Sequence, residues 1–188
     1  EFDRMSELLN EGFARSQNLL DEARLNLVLV SALQTQGKLK EAVKTGKVIL
    51  AKLGHVYPKN TNKLHVILKL LRVAWRMHKV DIDDLHALPM MTDSHHLIAH
   101  SIGAQIARAA MFVEPQLLPV MVLHSILVQM KYGHAPDAVS SWGAYGMVVA
   151  VELGRPERGM EYGELSIELA DKHNLQRVKA KVIDVYNA

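Results

Sequence analysis

Apolar residues recur along this chain at spacings of three and four, and no stretch alternates apolar with polar as a half-buried strand would. Residues 17–35 carry Leu20, Ala23, Leu27, Val30 and Leu33 on one helical face, and Gly37 stops the run. Leu39 to Leu53 forms the next helix, with Leu39, Val43, Ile49 and Leu53 inward, ended by Gly54 and Pro58. Asn62 or Thr61 caps a third helix through about Met77, rich in Leu64, Ile67, Leu68, Leu71 and Trp75. A short helix at Asp81 to Leu88 stops before Pro89. Thr92 or Asp93 caps a helix reaching about Phe112, and Glu114-Pro115 opens another that Gly133 terminates after Tyr132. Pro136 starts the following helix, which runs through Trp142 and Tyr145 to Leu153. Gly154-Arg155-Pro156-Glu157 is a compact turn, a helix spans Pro156 to about Lys172, and a last one begins near Leu175. The pattern predicts an all-α protein of about nine to ten helices with short connections, one domain over residues 1–188.

Two of the predicted hairpins share a spacing. Gly37 and Gly154 each sit in a turn, a small residue follows five positions later (Ala42, Gly159), and a glycine follows four after that (Gly46, Gly163). Small residues on one face of the second helix let a neighbouring helix approach closely. This is the physical basis of a tetratricopeptide-like helical hairpin, and stacking such hairpins predicts a right-handed superhelix. Gly143, Ala144 and Gly146 offer a further close-approach surface, as internal packing or as a groove for a partner helix.

Three stretches occur in a familiar order: Leu70-Leu71-Arg72-Val73-Ala74-Trp75-Arg76, then Asp84-Leu85-His86-Ala87-Leu88-Pro89-Met90-Met91-Thr92-Asp93, then Lys131-Tyr132-Gly133-His134-Ala135-Pro136 through Gly143-Ala144-Tyr145-Gly146. With the Leu153–Glu157 turn they resemble the tetratricopeptide-like region of large multidomain signalling proteins. Those proteins join a serine/threonine-kinase-like domain, an AAA-type ATPase, the helical region, a GAF domain and often a sensor histidine kinase. The resemblance covers residues 39–174 and implies a non-catalytic connector between the ATPase and output domains. It carries over no catalytic residue. Where that family has a proline or basic residue after Thr-Asp, this chain has Ser94-His95-His96.

Composition narrows the classes. With 188 residues, 49% hydrophobic and 22% charged, the chain has enough apolar content for a core and is no charged, disordered segment. Zero cysteines exclude disulfides, thiolate metal sites and cysteine nucleophiles. The longest apolar stretch, Leu117 to Met130, is interrupted by Pro119, His124 and Gln129 and falls short of the roughly 20 residues that span a bilayer. No secretory signal is visible, so no membrane association and a cytoplasmic location are expected. The opening Glu1-Phe2 looks like a cloning remnant, so an excised piece of a longer signalling protein is expected. Of nine methionines, most are expected to fill the core.

The net charge of +2 hides a strong polarity. Residues 36–80 hold eleven Lys or Arg against one acid, Glu41, a net of +10, between flanks of −3 and −5. Lys40, Lys44 and Lys47 share one helical face, and Lys69, Arg72, Arg76 and Lys79 share another. The plainer expectation is a Lys-rich solvent face partly neutralised by acidic helices such as 157–171. As a contact surface, such faces suit an acidic protein surface or another domain of the same parent. Nucleic acid fits less well, because the only interleaved aromatics are Tyr57 and Trp75. One helical step turns Trp75 about 100° from Arg76, and it is expected in the core.

Catalytic signals are weak. His96 and His100, four apart, are candidate metal ligands, but Leu97 stands where a zinc-protease helix has glutamate, and solvated or partner-facing histidines are the plainer expectation. Gly154 and Gly159 lack the Lys-Ser/Thr of a P-loop. Glu161, Glu164 and Glu168 read as a solvated row, and Ser125, Ser140 and Ser141 lack a nucleophile-elbow context. The expected function is therefore a non-enzymatic scaffold without cofactor, of unassigned oligomeric state, docking protein on its basic faces. The alternatives are a sensor holding a small effector within the superhelix and, more remotely, a histidine-metal enzyme.

Overall fold

The computed structural model describes residues 2–175. The protein is all-α: among the described residues there are nine α-helices and one 3-10 turn, and no strand. The helices are α1 (Phe2–Arg15), α2 (Leu19–Thr35), α3 (Leu39–Lys52), α4 (Lys63–Met77), α5 (Ile82–His86), α6 (Ser94–Val113), α7 (Leu117–Tyr132), α8 (Ser140–Glu152) and α9 (Pro156–Lys172). The helix foreseen to begin near Leu175 lies outside the described residues. The chain divides into two compact units, residues 2–61 with 93–118, and residues 62–92 with 119–175.

Helix ends fall where local chemistry puts them. Asn18, Asn62 and Asp93 accept backbone N–H groups of the first turns of α2, α4 and α6. Gly37, Gly54, Gly133 and Gly154 all adopt positive φ, which ends a helix without the steric penalty a Cβ brings. One boundary departs from expectation. Pro136–Ala138 forms a 3-10 turn and α8 starts only at Ser140. The Ala138 carbonyl accepts from Gln129 Nε2 and the Val139 carbonyl from Ser166 Oγ. A side chain thus holds the Ala138 carbonyl, and the Val139 carbonyl is shared between Ser166 and the Trp142 N–H. α1 was not foreseen at all, although Met5, Leu9 and Phe13 recur four apart.

In the first unit, α2, α3 and α6 pack on one another around Ala23, Val30, Val43, Ile49, Ile102 and Ile106. Gly46 lies against Ile106, so the small residue foreseen on α3 admits α6. Gln34 and Gln105 add a reciprocal bond, the Gln34 amide to the Gln105 carbonyl and the Gln105 amide to Gln34 Oε1.

In the second unit, α8 and α9 form the tightest pair, with Gly146 and Gly159 backbone to backbone. The core gathers Val73 and Met77 of α4, Leu85 of α5, Leu123 and Ile126 of α7, and an aromatic run of Trp142, Tyr145 and Tyr162. Within it His134 is fully buried. Its Nε2 lies 2.8 Å from the Leu85 carbonyl, and Trp142 Nε1 donates to its Nδ1 at 3.4 Å, so Nε2 carries the proton. Burial holds this imidazole's pKa below its usual value, despite the opposing pull of the Leu85 carbonyl. The backbone around it donates and accepts with Pro89 and Met91. Two of the motifs quoted above, Asp84–Asp93 and Lys131–Pro136, therefore meet in space. Gly133 is required there, since a Cβ would overlap the Pro89 carbonyl.

Candidate functional site

α4 carries the densest set of candidate residues, and its sequence sets how they are presented. At about 100° per residue, its apolar positions fall into two separate stripes. Val66, Leu70, Val73 and Met77 form one, and this stripe turns to the core. Leu64, Ile67, Leu68, Leu71 and Trp75 form the other, and each of these is more than half exposed; Trp75 reaches 75%. The expectation of a core tryptophan is thus corrected. Asn62 seats the N-terminal end of the helix, its side chain accepting the His65 N–H while His65 Nδ1 accepts the Asn62 N–H.

The cations of α4 lie beside this outer stripe. Arg72, Arg76 and, at the first residue, Lys63 are exposed, as is Lys79 just past the helix end, whereas Lys69 is half-buried with Nζ 3.4 Å from His124 Nδ1. Burial, and secondarily the Arg72 charge, hold the Lys69 pKa below its usual value. No carboxylate occurs between Glu41 and Asp81, so α4 contains nothing to neutralise its own cations.

The α3 lysines are split. Lys40 and Lys44 are exposed, but Lys47 is turned onto Glu114, with Nζ 3.0 Å from Oε2, and also donates to the Lys59 carbonyl. Glu114 accepts the Thr61 N–H as well, at 2.8 Å. Burial pushes its carboxyl up, but the Thr61 and Lys47 hydrogen bonds outweigh this and leave its pKa lowered. Lys47 is therefore a structural cation, a role that Glu114, 67 residues away, reveals only in three dimensions. Glu114→Gln is expected to cost about 1–2 kcal/mol by urea titration at pH 7, since a charged acceptor becomes neutral in a half-buried site. An unchanged midpoint would show the pair to be fully solvated.

His95 of α6 is exposed, but the candidate ligands His96 and His100 are not solvated as expected. His100 is 9% exposed and His96 half-buried, and both face His55, itself 4% exposed. His55 Nε2 and His96 Nδ1 stand 2.9 Å apart, one donating and the other accepting. Burial, then the charge of their neighbours, lowers the pKa of His55 and of His100 to about 4. His55 had no sequence signal: it follows the Gly54 helix stop, 41 positions from His96. Among the described residues no group of three or more His, Asp or Glu side chains is placed to hold a metal ion.

The carboxylate row of α9 is also engaged in structure. Glu161 accepts from Arg158, Glu168 lies 3.4 Å from His86, and Glu164 is exposed. Ser141 donates to Ser125, and Gln129 donates to Ser125 in turn. Among the described residues no helix is long and apolar enough to cross a membrane. Comparison with protein-family models, with curated proteins and with solved structures yields no match.

Proposed function

We propose that this chain is a non-catalytic, tetratricopeptide-like interaction module of a multidomain signal-transducing ATPase or kinase in the cytoplasm. In this reading its hairpins stack as part of a right-handed superhelix and couple neighbouring domains by docking protein. The paired Gly37 and Gly154 turns support the repeat. The observation that carries the docking role is the outer stripe of α4, five large apolar side chains left in water beside Arg72, Arg76 and Lys79. A contiguous exposed apolar patch with a charged rim is the ordinary signature of an interaction site.

The two tryptophans supply the test. Trp142 is fully buried and Trp75 mostly exposed, so Trp75→Phe is expected to remove the long-wavelength, acrylamide-quenchable emission and to leave folding intact. Titration with separately purified flanking domains of the parent polypeptide is expected to shift Trp75 emission to the blue. Added salt should weaken that binding, as should Arg72→Glu with Arg76→Glu. Binding that is indifferent to both would remove α4 from the docking role.

A further inference from the structure

We infer that the occupant of the α4 face is an acidic amphipathic helix, lying alongside α4 with its apolar stripe on Leu64, Leu68, Leu71 and Trp75 and its carboxylates over Arg72, Arg76 and Lys79. This rests on the interaction-module reading and names the partner class for that surface.

Three features of the face select this occupant. The outer apolar stripe runs from residue 64 to 75, about 16 Å at 1.5 Å per residue, and covers an arc of about 100°. Those are the dimensions of the stripe on one amphipathic helix of three turns, and the spacings 64, 68, 71 and 75 are the anchor spacings of helix-in-groove recognition. Next, the charge is uneven. Arg72, Arg76 and, just past the end of α4, Lys79 lie on one flank of the stripe, while the other flank carries the single cation Lys63 at the first residue of the helix and passes through Ala74 to the core-facing stripe. A planar anionic surface gains most from cations spread evenly over both flanks, whereas three cations against one match a partner helix whose carboxylates are gathered on one flank. Finally, α4 holds no carboxylate, so the same faces of two copies laid together would bring only cations to each other. The complement of this surface is therefore a different sequence, apolar along one stripe and acidic beside it.

The test uses the full chain and synthetic helices of about 20 residues, long enough to form helix on a surface. One carries leucines at spacings of three and four with glutamates along one flank. A second has the same composition shuffled to destroy the period, and a third has lysine for each glutamate. Anionic vesicles of phosphatidylserine in phosphatidylcholine form the fourth arm. Binding is read as blue shift and acrylamide protection of Trp75 emission. The acidic amphipathic helix is expected to bind at least tenfold more tightly than the shuffled and lysine peptides. Leu68→Asp, and separately Arg72→Glu with Arg76→Glu, should each weaken it about tenfold, and both variants should keep the Trp142 emission of the folded core.

Equal binding of the shuffled peptide would reduce the interaction to polyanion attraction and overturn the proposal. So would protection of Trp75 by vesicles alone, by self-association seen in sedimentation, or by no probe at all. The two readings separate cleanly. If flanking domains cover Trp75 and no acidic helix does, the module stands and this occupant falls. If the acidic helix binds at α4 while flanking domains do not, the occupant stands and the coupling role falls.

Discussion

Between pH 7 and pH 4 the urea midpoint of this protein, followed by far-UV circular dichroism, is expected to fall steeply. His55 and His100 are neutral in the folded state down to about pH 4, whereas in the unfolded chain they bind protons from pH 6.5 downward. Through that window the unfolded state holds more protons, so their contribution to stability is complete above pH 6.5 and is lost as the pH falls towards 4. The shift from 6.5 to about 4 corresponds to about 3 kcal/mol for the first of the two to be charged. That is a large fraction of the roughly 5–15 kcal/mol that holds an ordinary domain together. Glu114 works in the same direction at lower pH, because its lowered pKa makes its contribution disappear below about 4.5. The two causes are separable. His55→Leu and His100→Leu should flatten the profile above pH 4.5, whereas Glu114→Gln should leave that part unchanged. Both tryptophans belong to the second unit, so Trp142 emission reports a different part of the molecule from the histidines. Histidine ring resonances of residues 55 and 100 titrating near 6.5 would dispose of the buried cluster.

What sequence reading captured and missed follows from the range of each interaction. Helix ends are decided within a few residues. Asn62 and Asp93 cap, and Gly37, Gly54, Gly133 and Gly154 end, the helices assigned to them because capping and positive φ are local. The start of α8 was misplaced because Gln129, from another helix, takes the carbonyl of Ala138, and Ser166, from another, shares that of Val139 with the Trp142 N–H. On α4 the difficulty is different. Two apolar stripes of similar size run along one helix, and periodicity identifies both without saying which meets the core. Val73 and Met77 won because Leu85, Leu123, Ile126 and Trp142 converge on that side, which left Trp75 in water. The same distance rule explains the site. Arg72, Arg76 and Lys79 were found as a stripe, whereas Lys47 with Glu114 and His55 with His96 are encounters across 67 and 41 residues.

The hairpin glycines give the second large effect. In the interior of an exposed helix, Gly→Ala ordinarily stabilises by about 1 kcal/mol. Gly146→Ala and Gly159→Ala are expected to do the opposite, each costing about 2–3 kcal/mol net. A Cβ on Gly146 would overlap the Gly159 carbonyl, and a Cβ on Gly159 would stand 2.6 Å from the Gly146 carbonyl and 2.7 Å from Ala150 Cβ. The obstacles are mostly main-chain atoms, so no rotamer change relieves them. α8 and α9 must move apart, loosening the Trp142–Tyr162–Tyr145 packing next to the contact. Once the helices have parted for one methyl group, the second fits the widened gap. The double variant should therefore cost at least about 1 kcal/mol less than the sum of the singles. Two controls isolate the cause. Gly46→Ala meets the side chain of Ile106 and no main-chain atom, and should cost less than Gly146→Ala. Gly37→Ala meets nothing within 4 Å but must adopt φ +74, a penalty of about 1–2 kcal/mol that comes from backbone conformation alone. Urea midpoints read through Trp142 emission settle the glycine pair, and additive costs, or a stabilising Gly146→Ala, would mean that α8 and α9 are not held in backbone contact.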